Sequence, residues 1–444
     1  MPGAPEVQQS APEQPRSDAP TAAGFWDRAN LLGDPGGLRG RLVARGVTVN
    51  LAETSEVLGN PVGGRRPTVV YEGLTQASVI LDTKKAFGLP GGMFLASGLH
   101  IHGRGLSLNA LGNNLHTVSS LEAGRGALLF ELWYEQALLD GKLTVRVGQL
   151  AADQEFMVSQ YATLFLNHTF GWSSFVSANL PSGGPAYPLA ALGARVRVQP
   201  AEGWAVLAAV FNGDPAGPGQ GTPQERDPSG TAFRLRDGVF AIAEAQYVRT
   251  GGLPGSYKLG GWYNSQRFAD QRVGSDQLSL ADPVGSHVAV TRRGDWSLYA
   301  VADQLVWREA GDKDQGVGVF ARVMGGPGDR NLLNFYLDAG VTWKGALPGR
   351  ADDTLGLGLG IARFSDTAAK LDSDRALLAG APRRIRRHET VVELAYQAQV
   401  APWWTVQPTA QYVANLNGGA DDPARPGRRL PNAVVLGLRT VVAF

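Results

Sequence analysis

The sequence predicts an all-β protein: one sixteen-stranded antiparallel transmembrane β-barrel preceded by a short helical segment. Three observations predict it. Apolar and polar residues alternate with a period of two over long runs, the pattern of a strand with one apolar and one polar face. Long and short connections alternate along the chain, as outer loops and periplasmic turns do in such barrels. Trp204, Trp307, Trp343, Trp403 and Trp404 all fall beside the short connections, where an interfacial aromatic girdle would need them.

The clearest alternation lies near the C-terminus. Thr390, Val392, Leu394, Tyr396, Ala398 and Val400 share one face, and Glu389, Glu393, Gln397 and Gln399 the other. After the Ala401-Pro402 turn, Gln407, Thr409 and Gln411 oppose Ala410 and Tyr412. In the last run Val434, Leu436, Leu438, Val442 and the terminal Phe444 share a face opposite Arg439. Pro408 removes one ladder donor but sits near a strand start, where that is tolerated.

From the beginning, residues 1–24 are rich in Pro, Ala, Gln and Glu and read as a disordered lead-in. An exported protein carries a basic and then an apolar leader, and Met1-Pro-Gly-Ala-Pro5 shows neither, so a misplaced start or a processed form is expected. Residues 25–42 read as a short periplasmic helical segment opened by Asp34-Pro35. The barrel is placed at 43–444, with strands at 43–52, 68–82, 92–104, 127–138, 142–151, 187–199, 203–213, 238–249, 256–267, 294–307, 315–325, 332–344, 354–365, 388–400, 404–413 and 432–444. The long connections are 152–186, 214–237, 268–293, 366–387 and 414–431. Leu355-Gly-Leu-Gly-Leu-Gly-Ile361 superficially resembles a nucleotide loop. Its glycines have period two and no helix follows, so Leu and Ile are read as facing lipid and Gly as leaving room in the lumen.

Composition narrows the function. A net charge of +1 argues against nucleic acid as a partner. The chain contains 0 Cys, which removes disulfides, thiolate metal sites and Cys nucleophiles. The mean hydropathy is −0.12, compatible with a barrel whose strands are half polar. No Gly-x-Ser-x-Gly elbow is present. His100 and His102 without a third ligand make a weak metal site. No catalytic group, metal or cofactor is expected.

A filter for small polar solutes needs polar side chains for hydroxyls and aromatic faces for apolar ring surfaces. His100, His102 and Arg104 share one face of their strand, and Glu131, Trp133 and Glu135 share one of theirs; Arg146, Arg195 and Arg197 follow. These strands flank 152–186, which carries Tyr161, Phe165, Phe170 and Trp172. That loop is expected to fold inward and narrow the pore with Glu131, Trp133, Arg146 and Arg195; the alternative is generic lumen charges paired across strands. On the outer loops, Arg65-Arg66, Arg383-Arg384 with Arg386-Arg387, and Arg428-Arg429 are expected either to meet lipopolysaccharide phosphates or to be ordinary loop charge.

Ordered blocks along 25–444 resemble the carbohydrate-selective porins of Gram-negative outer membranes, the OprB-like family. The blocks are Trp26-Asp27-Arg28 with Leu32 to Arg39; Gly148-Gln149 leading to Phe156; Phe165-Leu-Asn167-His-Thr-Phe-Gly171; Pro188 to Val198; Val210 to Gly213; Asp303-Gln304; Phe320-Ala-Arg322; Gly349-Arg350 with Asp353; and Val406 to Tyr412. The resemblance implies a sixteen-stranded barrel passing glucose-like sugars by diffusion, with Phe165, Asn167, Gln304 and Arg322 added to the pore-lining candidates. The expected partners are small neutral sugars, outer-membrane lipid and lipopolysaccharide, and the expected unit is a monomer or homotrimer. The competing readings are a general small-solute porin, an outer-membrane barrel enzyme and a secreted all-β binding protein. The enzyme would need Ser or Thr, His and an acidic or amide partner together on the lipid-facing wall, and the assigned lipid faces do not supply them.

Overall fold

The computed structural model describes residues 24–112, 114–312, 314–378, 384–419, 421–422 and 425–444. The expected disordered lead-in, apart from Gly24, lies outside the described residues, as does Arg383. Sixteen antiparallel strands close into one barrel. They are β1 (Val47–Val62), β2 (Thr68–Asp82), β3 (Gly92–Gly103), β4 (Gly126–Leu138), β5 (Leu143–Leu150), β6 (Ala191–Ala201), β7 (Trp204–Asn212), β8 (Val239–Arg249), β9 (Gly255–Gly274), β10 (Ala289–Arg308), β11 (Gly316–Gly325), β12 (Leu333–Lys344), β13 (Thr354–Phe364), β14 (His388–Ala401) and β15 (Trp404–Ala414), with β18 (Ala433–Ala443) closing on β1. Between β15 and β18 a small separate hairpin pairs β16 (Asp421–Asp422) with β17 (Arg425–Arg429). Closure leaves no strand edge in the membrane, which a bilayer requires of any sheet that crosses it.

Several boundaries differ from the sequence reading. The first helix runs over Leu38–Ala44, two residues beyond the expected end, and Gly46 at φ 84 then turns the chain into β1. A Cβ at Gly46 would stand 2.6 Å from the Asp82 carbonyl, so the close approach demands glycine. β1 continues ten residues past its expected end, and β9 and β10 are each 20 residues long, shortening the connection expected at 268–293. The connection after β13 contains a helix, Asp366–Leu378. The short turn Leu139-Asp140-Gly141 has positive φ at all three residues, the local twist a tight hairpin needs.

The tryptophans divide. Trp204, Trp307 and Trp343 are exposed at the periplasmic rim, and the Trp307 and Trp343 rings meet at 6.2 Å. Trp403 is buried instead: Trp26 stacks on it at 6.0 Å, and its Nε1 donates to the Phe25 carbonyl. The N-terminal segment is thereby fastened under the barrel. Leu31 N donates to Ala443 O, and the Arg39 guanidinium donates to Phe444 O.

The core lies inside the barrel, between wall and inward-turned loops. On β13 the even-numbered residues face in, and their glycines are filled from the other side. A Cβ at Gly358 would come 2.8 Å from Phe170 Cζ, and one at Gly360 3.1 Å from the Thr169 methyl. The room left in the lumen is occupied by the 152–186 loop. Leu357, opposite, is half exposed on the lipid side. Gly358→Val is therefore expected to overpack this seat at a cost of about 1–3 kcal/mol while the barrel still closes. Faster chymotrypsin cleavage within 152–186, which carries Phe156, Tyr161, Phe165, Phe170 and Trp172, with unchanged heat-modifiable migration of the barrel, is the expected result.

Candidate functional site

Four charged side chains and one aromatic ring converge where β4, β5 and β6 face the lumen. Glu135, Arg146 and Arg195 lie side by side across the three strands in register. Arg146 Nε donates to Glu135 at 3.0 Å, and Arg195 Nη2 donates to the same carboxylate at 2.6 Å. Glu155, carried in by the loop after β5, closes the square. It pairs with Arg146 at 2.7 Å and with Arg195 at 2.7 Å. The Arg146 guanidinium lies 3.8 Å from the centre of the Trp133 ring. Glu131 stands beside this group and accepts from Ala151 N at 3.2 Å. Each guanidinium touches both carboxylates, so the square balances two positive groups against two negative ones. Arg146 and Glu135 keep part of their surface open. Such an arrangement offers fixed donors and acceptors, plus an indole ring, without a strong field of either sign.

The loop that supplies Glu155 crosses the lumen and is bonded to the wall on the far side. Wall carboxylates accept its backbone N–H groups: Glu244 from Met157, Asp303 from Gln160, and Glu393 from both Leu166 and Asn167. Arg322 does the converse, donating to the carbonyls of Met157, Thr169 and Gly171 while paired with Asp338 at 2.5 Å. Asn167 Nδ2 reaches Gln411 at 3.0 Å, and Phe165 packs on Phe170 and Phe320. A second segment, 104–125, also turns inward and braces the first. Ser120 N donates to Leu166 O, and His168 N to Thr117 O. This second brace was not anticipated; Leu106, Leu111, Val118 and Leu121, all buried, were its signal in the sequence.

A family model described as the carbohydrate-selective porin, OprB family, matches residues 66–444. The chain belongs to this family. It is an outer-membrane sugar porin. Porin B of Pseudomonas aeruginosa is 26% identical over 438 residues, spanning 93% of this chain and 91% of that protein. The high-pH structure of Pseudomonas putida OprB is similar with a TM-score of 0.84 at 24% identity, covering 95% of this chain and 100% of that one. The low-pH structure of the same protein gives 0.59 at 20%, covering 94% and 99%.

In this porin the eleven residues singled out in the sequence separate into three groups. Trp133, Glu135, Arg146 and Arg195 meet around Glu155, with Glu131 adjacent. Phe165, Asn167 and Arg322 are buried among loop contacts and act as anchors rather than as pore surface. His102, Arg104 and Gln304 lie off the lumen. Register fixes the two strand faces: Glu56 pairs with Arg439 inside, so Glu53, Thr75 and His100, in register with one another, point outward. His102 shares that outer face and bonds Glu53 at 3.0 Å. The inner face of β3 carries Leu99 and Ile101 instead, because Leu121 of the inward segment and Leu128 of β4 cover them. Alternation defined two faces here but not which one was inside. Gln304 holds the β8–β9 turn through the carbonyls of Leu253 and Pro254. Arg104 lies at the extracellular rim beside Tyr71.

The outer wall also corrects the expectation that no Ser, His and acid meet there. Glu53 joins His102, and Ser55 Oγ lies 3.3 Å from Glu53 and 3.1 Å from the Tyr71 hydroxyl. His102 bonds the carboxylate and not the serine, so this group lacks a base on its hydroxyl.

Two outcomes follow from the anchoring. Arg322→Ala would leave Asp338 buried without its partner and three loop carbonyls without a donor. It is expected to cost about 3–5 kcal/mol, read as a lowered Tm in detergent, and Arg322→Ala with Asp338→Ala together should cost less than the single change. His168, half-buried in the loop, has its pKa pulled down to about 4, first by burial and then by Arg322. The folded loop thus holds the neutral ring, and its contribution is full above about pH 6.5 and is lost as pH falls towards 4. Melting curves of wild type and His168→Gln should diverge in favour of the variant over that interval and run parallel above it.

Proposed function

We propose that the porin admits glucose-like monosaccharides into the periplasm by passive diffusion, and that the constriction is the ring of Trp133, Glu135, Arg146, Arg195 and Glu155 held by the inward loop 152–186. The single observation that carries this reading is the mutually neutralised square with an indole beside it. A neutral polyol exchanges hydroxyl–water hydrogen bonds for bonds to fixed carboxylates and guanidinium groups, and its C–H face meets the ring. A net anion or cation gains little from a site whose charges already cancel. No nucleotide, coupling ion or covalent step enters. The working unit is one barrel or a closed ring of three, which sedimentation velocity in detergent separates, and its outer rim meets the lipopolysaccharide leaflet.

Liposome swelling tests the reading. Glucose should enter faster than amino acids of similar size and faster than a disaccharide, and Trp133→Ala should reduce that preference severalfold. Equal rates for glucose and the amino acids would reduce the function to general small-solute diffusion. Glu155→Gln leaves one positive charge in excess. It should shift the reversal potential in a salt gradient towards anion preference, with the opposite shift for Arg146→Gln.

A further inference from the structure

Four of the arginines expected to face outward on the loops, Arg65, Arg384, Arg386 and Arg429, are matched by acids or amides of the same or a neighbouring loop. Arg65 lies 3.9 Å from Asp422, Arg384 3.6 Å from Asp421, and Arg386 2.8 Å from Asp372 with its guanidinium over Phe364. Arg429 bonds Asn432 at 3.2 Å. Three others differ. Arg66, Arg104 and Arg125 have no side-chain hydrogen bond or ion pair among the described residues, yet they line one cleft of about 360 Å³. The cleft sits at the extracellular ends of β2 and β3, and among the described residues no carboxylate lines it. Val69 and Tyr71, both well exposed on the outer face of β2, form its floor towards the membrane, and Val57 continues the apolar strip below.

Three guanidinium groups sharing so small a space repel one another unless an anion lies between them. Their planar forks match the oxygens of a phosphoryl group. The apolar floor adds a second requirement, because a free anion has no use for it. We propose that Arg66, Arg104 and Arg125 bind a phosphoryl group of an outer-leaflet glycolipid, whose acyl chains lie along Val69, Tyr71 and Val57. The proposal rests on the outer-membrane placement of the porin and is independent of which sugar it passes. It also narrows the earlier expectation for the loop arginines to one of them, Arg66, joined by two that sequence spacing did not group.

The test is native mass spectrometry of the whole porin in detergent with bisphosphorylated lipid A, with dephosphorylated lipid A and with inorganic phosphate. Wild type should retain the bisphosphorylated lipid. Arg66→Gln/Arg104→Gln/Arg125→Gln should weaken retention by about tenfold or more, and removal of the phosphates from the lipid should do the same. Unchanged retention by the triple variant would overturn the proposal, and so would displacement of the lipid by equimolar inorganic phosphate, which would assign the cleft to a free anion. Heat-modifiable migration reports whether each barrel is intact. Should the triple variant not assemble, the three single variants carry the test, each with an expected loss of about threefold; three unchanged singles would overturn it. Glucose swelling rates should be unaffected throughout, so a failed sugar reading and a failed lipid site give different results.

Discussion

A loop drawn into a barrel must bring its backbone N–H and C=O groups with it, and each must find a partner there. In this porin the wall supplies them from charged side chains. Glu244, Asp303 and Glu393 accept the amides of 157, 160, 166 and 167, and Arg322 donates to three carbonyls. The partners come from β8, β10, β11 and β14, well away from β5 and β6 where the loop begins and ends. The same bonds that satisfy the backbone therefore stretch the loop across the lumen. Glu155 comes to rest against Arg146 and Arg195 as a consequence of that stretch.

Volume is matched in the same way as polarity. The glycines of β13 would look like weak points in a strand taken alone, since a glycine packs nothing and costs conformational entropy. Opposite them stand Phe165, Phe170 and Leu164, whose bulk needs the missing side chains. Small residues on the wall and large ones on the loop make one interdigitated core, close-packed as protein interiors are. A packed loop thus fills part of the lumen against the wall.

Charge is distributed by location. In the lumen, arginine and carboxylate cancel within the square, which leaves polarity without a strong field. At most of the outer loops, arginines are neutralised by neighbouring aspartates. At the rim of β2 and β3 three arginines meet with no acid among the described residues, beside an apolar strip. On the outer wall below, Glu53 and His102 satisfy each other, as polar groups facing lipid must.

The sequence by itself determined the barrel. A period of two, short turns on one side and no long apolar helix leave few other solutions for these strands, and fifteen of the expected runs begin within about four residues of a strand in the closed sheet. It also reached Trp133, Glu135, Arg146 and Arg195, because neighbouring hairpins bring them side by side through local register. It could not reach Glu155 as their partner, since that residue lies on an irregular loop without strand register, nor the anchoring role of Phe165, Asn167 and Arg322, which rests on contacts between residues up to 244 positions apart. Nor could it tell the inside of β3 from the outside. Alternation is symmetric between the two faces, and it was the apolar cover from the inward segment 104–125 that placed Leu99 and Ile101 within and turned His100 and His102 out. Only the tertiary structure, by deciding which loops fill the lumen, decided which face of each strand belongs to it.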